Sequence, residues 1–211
     1  MKVGVLDYGI GNLGSVVNCV HAVGGEPVLI DKAADIRLAD AYILPGVGSF
    51  YDCMKLLNQG DWTEALQEEV IGSGKPILGI CVGMQLLATL GTEGANLEGV
   101  SGLGFIPGRV DSLRDLGCQS RVPHVGWNDV RLVSESGGLF KGISDNSDFY
   151  FVHSYVFVPA DGRHILAVCD YDITVTAAVR SGSVWGVQFH PEKSSRAGRR
   201  LIHNFLENPQ C

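Results

Sequence analysis

Four short runs in the first half of the chain are apolar at almost every position, and this fixes the kind of sheet they can join. They are Val3 to Asp7, Pro27 to Ile30, Ala41 to Leu44 and Pro76 to Ile80. None alternates apolar with polar residues, so neither face of such a strand can meet water. Helical patterns lie between them. Asn12 to Val23 puts Leu13, Val16, Val17, Val20 and Val23 on one face, with Asn12 as the expected N-cap and Gly24 just past the end. Asp61 is expected to cap a helix carrying Trp62, Leu66, Val70 and Ile71, and Met84 to Leu90 reads as helical up to Gly91. Strand–helix alternation implies right-handed crossovers and a largely parallel sheet.

The second half changes character. Arg121 to Val133, Phe149 to Val158, His164 to Cys169, Ile173 to Val179 and Val184 to Phe189 read as strands with only turn signals between them, and Ala197 to Leu206 reads as a closing helix. The expected fold class is therefore α/β: a mostly parallel central sheet flanked by helices, with antiparallel additions in the C-terminal half. One domain is expected over residues 1–211, since no linker divides the chain.

Composition narrows the function classes. The 16 Lys and Arg against 23 Asp and Glu give a net charge of −7, which argues against unaided binding to nucleic acid or an anionic membrane. No apolar run is long enough to cross a bilayer, and the start of the chain has no signal-peptide pattern. A cytoplasmic protein is expected. Cys19, Cys53, Cys81, Cys118, Cys169 and Cys211 form no C-x-x-C pair and are read as reduced thiols, not as disulfides or a metal site.

Four groups of residues could carry chemistry. Gly9-Ile10-Gly11-Asn12-Leu13-Gly14, with Asp31 after the next strand, has the spacing of a dinucleotide fingerprint. Asp7, however, would face and repel a pyrophosphate, and the chain is short for a cofactor domain plus a substrate domain. A tight strand-to-helix turn is the stronger reading. Gly79-Ile80-Cys81-Val82-Gly83 follows a strand and opens a helix, the pattern of a nucleophile elbow with Cys in place of Ser. The turn would lift the thiol above the sheet, and the helix N-terminus favours thiolate. Phe189-His190-Pro191-Glu192 offers a base and a carboxylate to orient it, with Pro191 fixing the bend between them. Pro45-Gly46-Val47-Gly48 ends another strand, where backbone N–H groups could approach an oxyanion. A simple turn explains that last segment equally well in isolation.

Together these residues resemble the class I, or triad, glutamine amidotransferases. Asp7 to Leu13, Pro45 to Phe50, Gly79 to Gln85, Pro123 to Asn128, Phe151 to Tyr155 and Gly186 to Ser194 are similar in particular to the glutaminase subunits of imidazole glycerol phosphate synthases, which serve histidine biosynthesis. The similarity runs from residue 1 to about Leu206. It implies flavodoxin-like layering, with Cys81 as nucleophile, His190 as base and acid, and Glu192 as orienter. It also implies an oxyanion hole from the Val82 N–H plus one from the Gly46, Val47, Gly48 loop, after a peptide there reorients. Gln85, His153, Ser154 and Tyr155 would hold glutamine, with no cofactor and no metal. The partner implied is a (β/α)8-barrel cyclase subunit in a heterodimer. The stretch Leu86 to Glu93 lacks the acidic run usual there, and Ile173 to Ala178 lacks an aromatic residue. Both departures leave room for a paralogue that supplies ammonia to another acceptor, such as a sugar in surface-polysaccharide synthesis.

Overall fold

A computed structural model describes residues 1–95, 98–133 and 138–207; Cys211 lies outside them. The all-apolar runs form β1 (Lys2–Leu6), β2 (Glu26–Ile30), β3 (Ala41–Gly46) and β4 (Ile77–Cys81), parallel neighbours in the order β2-β1-β3-β4. The next neighbour of β4 comes from the far end of the chain. It is β13 (Val184–Val187), also parallel, with Val187 opposite Ile80. Beyond β13 the nine-stranded sheet continues antiparallel through β12 (Ile173–Ser181), β11 (Ile165–Tyr171), β8 (His124–Leu132) and β9 (Ser147–His153). The α/β class, with a parallel half and antiparallel additions, is as the sequence implies.

A second sheet was not foreseen. It has the order β10-β7-β5-β6, built from β10 (Tyr155–Pro159), β7 (Gly108–Ser112), β5 (Leu90–Gly91) and β6 (Val100–Ser101). It corrects two expectations. The run Phe149 to Val158 is two strands, β9 and β10, which part at Ser154 to enter different sheets; the Ser154 carbonyl accepts the Leu113 N–H. The helix expected over Met84 to Leu90 ends early, as α4 (Val82–Leu86), because the carbonyls of Leu86, Leu87 and Ala88 are taken by the N–H groups of Leu103, Ile106 and Gly104. Leu90 and Gly91 are then free to pair as β5.

The helices show what local pattern can and cannot fix. α1 (Leu13–Ala22) buries Val16, Cys19 and Val20, though Asn12 makes no side-chain cap. α2 (Phe50–Gln59), which hydropathy alone did not reveal, is capped by Ser49, whose hydroxyl accepts from Asp52 N at 3.1 Å. α3 (Trp62–Leu66) begins after Asp61, which sits in the left-handed region and caps nothing with its side chain. The chain then widens over Gln67–Gly72, with Ser73 N donating to Glu68 O, and this register change turns Ile71 out to solvent while Val70 stays buried. α5 (Ser195–Glu207) packs on α1 and buries Leu201, Ile202 and Phe205. Among the described residues no helix is long and apolar enough to cross a membrane.

The closest approach in this core is where α4 meets β3. A Cβ on Gly83 would lie 1.8 Å from the Leu44 carbonyl oxygen, and one on Gly79 would lie 2.5 Å from Gly83 O. Only glycine lets the two backbones touch. Gly83→Ala should therefore lower the urea unfolding free energy by about 3 kcal/mol or more. A loss below about 1 kcal/mol would show that the helix can back away at little cost.

Candidate active site

Three neighbouring strand ends build the site. In the ladder, Gly46 of β3 stands opposite Cys81 of β4, and Val187 of β13 stands opposite Ile80. The residue after Val187, Gln188, therefore comes level with Cys81, and His190 follows just beyond. Parallel pairing alone thus joins two segments a hundred residues apart in sequence. Cys81 has φ 56° and ψ −113°, the strained left-handed turn of an elbow, and starts α4. It is 4% exposed, and His190 is 3%.

His190 is held from both sides. Its Nδ1 pairs with Glu192 Oε1 at 2.8 Å, with both side chains buried. Pro191 opens the short 3₁₀ turn that carries Glu192 back to the ring. Nε2 is buried with no formed hydrogen bond, yet Cys81 lies near enough to act on it. Such contacts are often loose before substrate arrives. Burial pushes the imidazole down, but Cys81 and then Glu192 outweigh it and raise its pKa to about 9. The ring is thus a cation at neutral pH.

Cys81 and His190 share a cavity of about 360 Å³ with Val47, Gly48, Val82, Gln85, Glu93, His153, Ser154 and Tyr155. Every sequence-derived candidate except Gly46 and Glu192 lines it; Glu192 stands behind the His190 ring, and Gly46 lies behind the loop, where an added Cβ would meet Gly83 N at 2.7 Å. Gln85 Nε2 donates to Tyr155 O and to Gln188 Oε1, both at 2.9 Å, leaving Gln85 Oε1 buried without a partner. His153 is committed elsewhere. Its Nδ1 lies 2.9 Å from the Tyr155 carbonyl and so must donate, which leaves Nε2 to accept from His124 Nδ1 at 2.9 Å. Burial keeps both rings neutral, with His124 lowered to about 4; His153 falls to about 3, with His124 and His190 adding to the effect of burial and the Tyr155 bond opposing it.

Four contributors lay outside the candidates read from the sequence. Glu93 reaches the cavity with its carboxyl pushed up by burial, while accepting from Phe50 N at 3.1 Å. Tyr8 donates to Pro45 O at 2.8 Å, and Cys53 Sγ donates to Val47 O at 3.4 Å, so the loop is anchored from behind on both sides of Gly46. Gln188 is fully buried and reaches Cys81. An acid seven residues past a helix and a Gln before Phe-His-Pro-Glu carry no periodic signal that would mark them. The glycine motif resolves as a turn: Tyr8 is spent on Pro45, and a Cβ on Gly11 would press on the Pro45 ring at 3.3 Å.

An elbow thiol, an imidazole–carboxylate pair and a glycine loop at the ends of a parallel sheet define a triad thiol enzyme of the amidotransferase class. Residues 5–208 match the family described as glutamine amidotransferase class-I. The chain is 41% identical to the imidazole glycerol phosphate synthase subunit HisH of Pelagibacter ubique over 98% of its length and 99% of that protein's. It is 44% identical to the subunit of that name from Methanosarcina acetivorans, covering 98% of each. In fold it resembles PurLQS from Thermotoga maritima, with a TM-score of 0.74 at 19% identity over 98% of this chain and 97% of that one. The chain belongs to the class I glutamine amidotransferases and, among them, to the family of HisH subunits.

The raised pKa has a definite sign. Unfolded His190 titrates near 6.5, so its contribution to stability is complete below that value and fades as pH rises through about 9. Imidazole NMR should show His190 titrating near 9 in the wild type and lower in both Glu192→Gln and Cys81→Ser. A wild-type midpoint at or below about 6.5 would mean the pair is not charged at neutral pH.

Proposed function

We propose that this chain hydrolyses glutamine to glutamate and ammonia through a thioester on Cys81 and delivers the ammonia to a docked cyclase. The observation that carries the reading is the Cys81–His190–Glu192 arrangement opening into a cavity lined by Gln85 and the Glu93 carboxyl group. Glu93 would receive the α-ammonium of a free amino acid, while the turn at His153, Ser154 and Tyr155 would form a wall of the cavity. His153 would shape that wall through its bonds instead of reaching the substrate with a free nitrogen.

The Cys81 thiolate attacks the side-chain carbonyl carbon of glutamine. The carbonyl electrons move to oxygen, which the Val82 N–H and a donor from Gly46, Val47 or Gly48 would stabilise; one such donor is worth about 3 kcal/mol. His190, already protonated, gives Nε2–H to the departing nitrogen as the C–N bond breaks. Ammonia leaves and a glutamyl thioester remains. The now neutral imidazole takes a proton from water, whose oxygen attacks the thioester, and collapse expels the thiolate and releases glutamate. Glu192 holds Nδ1 throughout and stabilises the cationic form.

The partner reading rests on a surface. Val125, Trp127 and Val152 are 54%, 53% and 37% exposed and form a ridge across β8 and β9, with Val125 opposite Val152 and Trp127 opposite Tyr150. Val152 also lines the cavity, so the apolar ridge begins at its rim. Ammonia released into water is protonated and lost as a nucleophile, so a subunit seated there would shield its path. We read the partner as the (β/α)8-barrel cyclase that forms imidazole glycerol phosphate and an aminoimidazole carboxamide ribonucleotide in histidine biosynthesis, the relatives being named as subunits of that synthase. On this reading the chain is one amidotransferase domain working in the cytoplasm. The described cysteines Cys19, Cys53, Cys81, Cys118 and Cys169 are free thiols, in keeping with a reducing compartment.

The test is glutamate release from glutamine, with and without the cyclase and its acceptor nucleotide. Cys81→Ser should lose at least about 10³-fold. Cyclase plus acceptor should stimulate the wild type, and Trp127→Glu should lose that stimulation while keeping its unstimulated rate. Equal turnover with and without cyclase and acceptor would remove the partner from the reading.

A further inference from the structure

Gln188 lies buried against the reacting sulfur, and its amide can face only one way. The Tyr155 carbonyl is an acceptor alone, so the Gln85 group 2.9 Å from it must be the NH2. The second N–H of that NH2 points at Gln188, 2.9 Å away, so Gln188 must present its carbonyl there. The Gln188 NH2 is then directed to the only remaining side, where Cys81 Sγ lies at 3.8 Å. A backbone carbonyl thus sets the orientation of two buried amides and aims an N–H at the thiol.

The thiol and the thiolate use this neighbour differently. As S–H, Cys81 donates to Val152 O at 3.8 Å. Once ionised it has no proton to give, and Val152 O becomes an unfavourable neighbour. Gln188 Nε2 can then move in as a donor to the anion, and hydrogen bonds to charged groups are the stronger kind. Gln188 is fully buried, so no water competes for the bond.

We propose that Gln188 is a catalytic residue of this site, donating an N–H to the Cys81 thiolate. The proposal rests on Cys81 being the nucleophile.

The test is the pH dependence of Cys81 alkylation by iodoacetamide in the full-length chain, read on the peptide that carries Cys81. Gln188→Met removes the donor at similar volume. Gln188→Leu removes donor and acceptor without adding a charge beside the sulfur. Both should raise the alkylation midpoint by about one pH unit or more, the size expected for losing a bond to an anion. Glutaminase turnover at neutral pH should fall about tenfold with KM for glutamine changed less than about threefold, which marks loss of an interaction made in the transition state.

A residue that only packs would lower the melting temperature of Gln188→Met and leave its alkylation midpoint at the wild-type value; that result overturns the proposal. If Gln188→Met does not fold, Gln188→Leu decides alone. Cys81→Ser separates the two layers of argument. An active Cys81→Ser enzyme defeats the nucleophile assignment itself, whereas an inactive one combined with unmoved midpoints defeats only the role given to Gln188.

Discussion

The parallel pairing of β4 with β13 is the constraint on which the site depends. A strand from the last part of the chain lies beside one from the first half, in a register that sets Val187 against Ile80. Everything chemical follows within a few residues of that contact. Cys81 ends one strand, while Gln188, His190 and Glu192 follow the other, and Gly46 ends the strand on the opposite flank. A slip of one residue would turn each of these side chains to the wrong face of the sheet. The bulk that locks the register is apolar: Ile77, Leu78, Ile80, Val184, Trp185 and Val187 are all buried. Function here is set by ordinary core packing.

The same core gives neighbouring histidines different charge states. His153 and His124 are sealed among aromatic rings, with His124 stacked on Phe151 and Tyr171, and nothing anionic offsets their desolvation. They stay neutral and act as hydrogen-bonding struts between β8, β9 and the turn into β10. His190 is equally buried but has the Cys81 sulfur, which stabilises the cation as thiolate, facing one nitrogen and a carboxylate on the other, so it holds its proton. Burial does not decide the charge by itself; the sign of the neighbours does. For the proposed reaction this matters, because the first proton goes from the ring to the leaving nitrogen.

Much of this was legible in the residues. Strands without polar alternation announced a sheet covered on both faces, and Gly79 to Gly83 announced an elbow. The two-residue step from His190 to Glu192, with Pro191 between, announced a ring held by a carboxylate. What could not be read depends on partners remote in sequence. Strands of two residues such as Leu90–Gly91 have no period, so the second sheet was invisible, and with it the break at Ser154. Ile71 looked like a core residue because the helical period was carried through Gln67–Gly72, where the backbone widens. Tyr8 appeared as part of a glycine-rich turn, and only the position of Pro45 shows what its hydroxyl is for.

That tyrosine also bears on how the Pro45–Gly48 loop, proposed to supply an oxyanion donor, could change state. The Pro45 carbonyl is held by Tyr8 and the Val47 carbonyl by Cys53, so the peptides on either side of the Gly46–Val47 link are tied to the core. Burial keeps both anchors protonated: Cys53 is raised to about 11 and Tyr8 well above its ordinary value. Each therefore remains a donor across the range in which an enzyme works. A peptide rotating between two fixed points moves one N–H and one carbonyl without moving the strand or the helix on either side. Val47 itself is exposed and stands at the cavity rim, on the surface where a partner would land. Contact there could turn one peptide while the scaffold that positions Cys81 and His190 stays still.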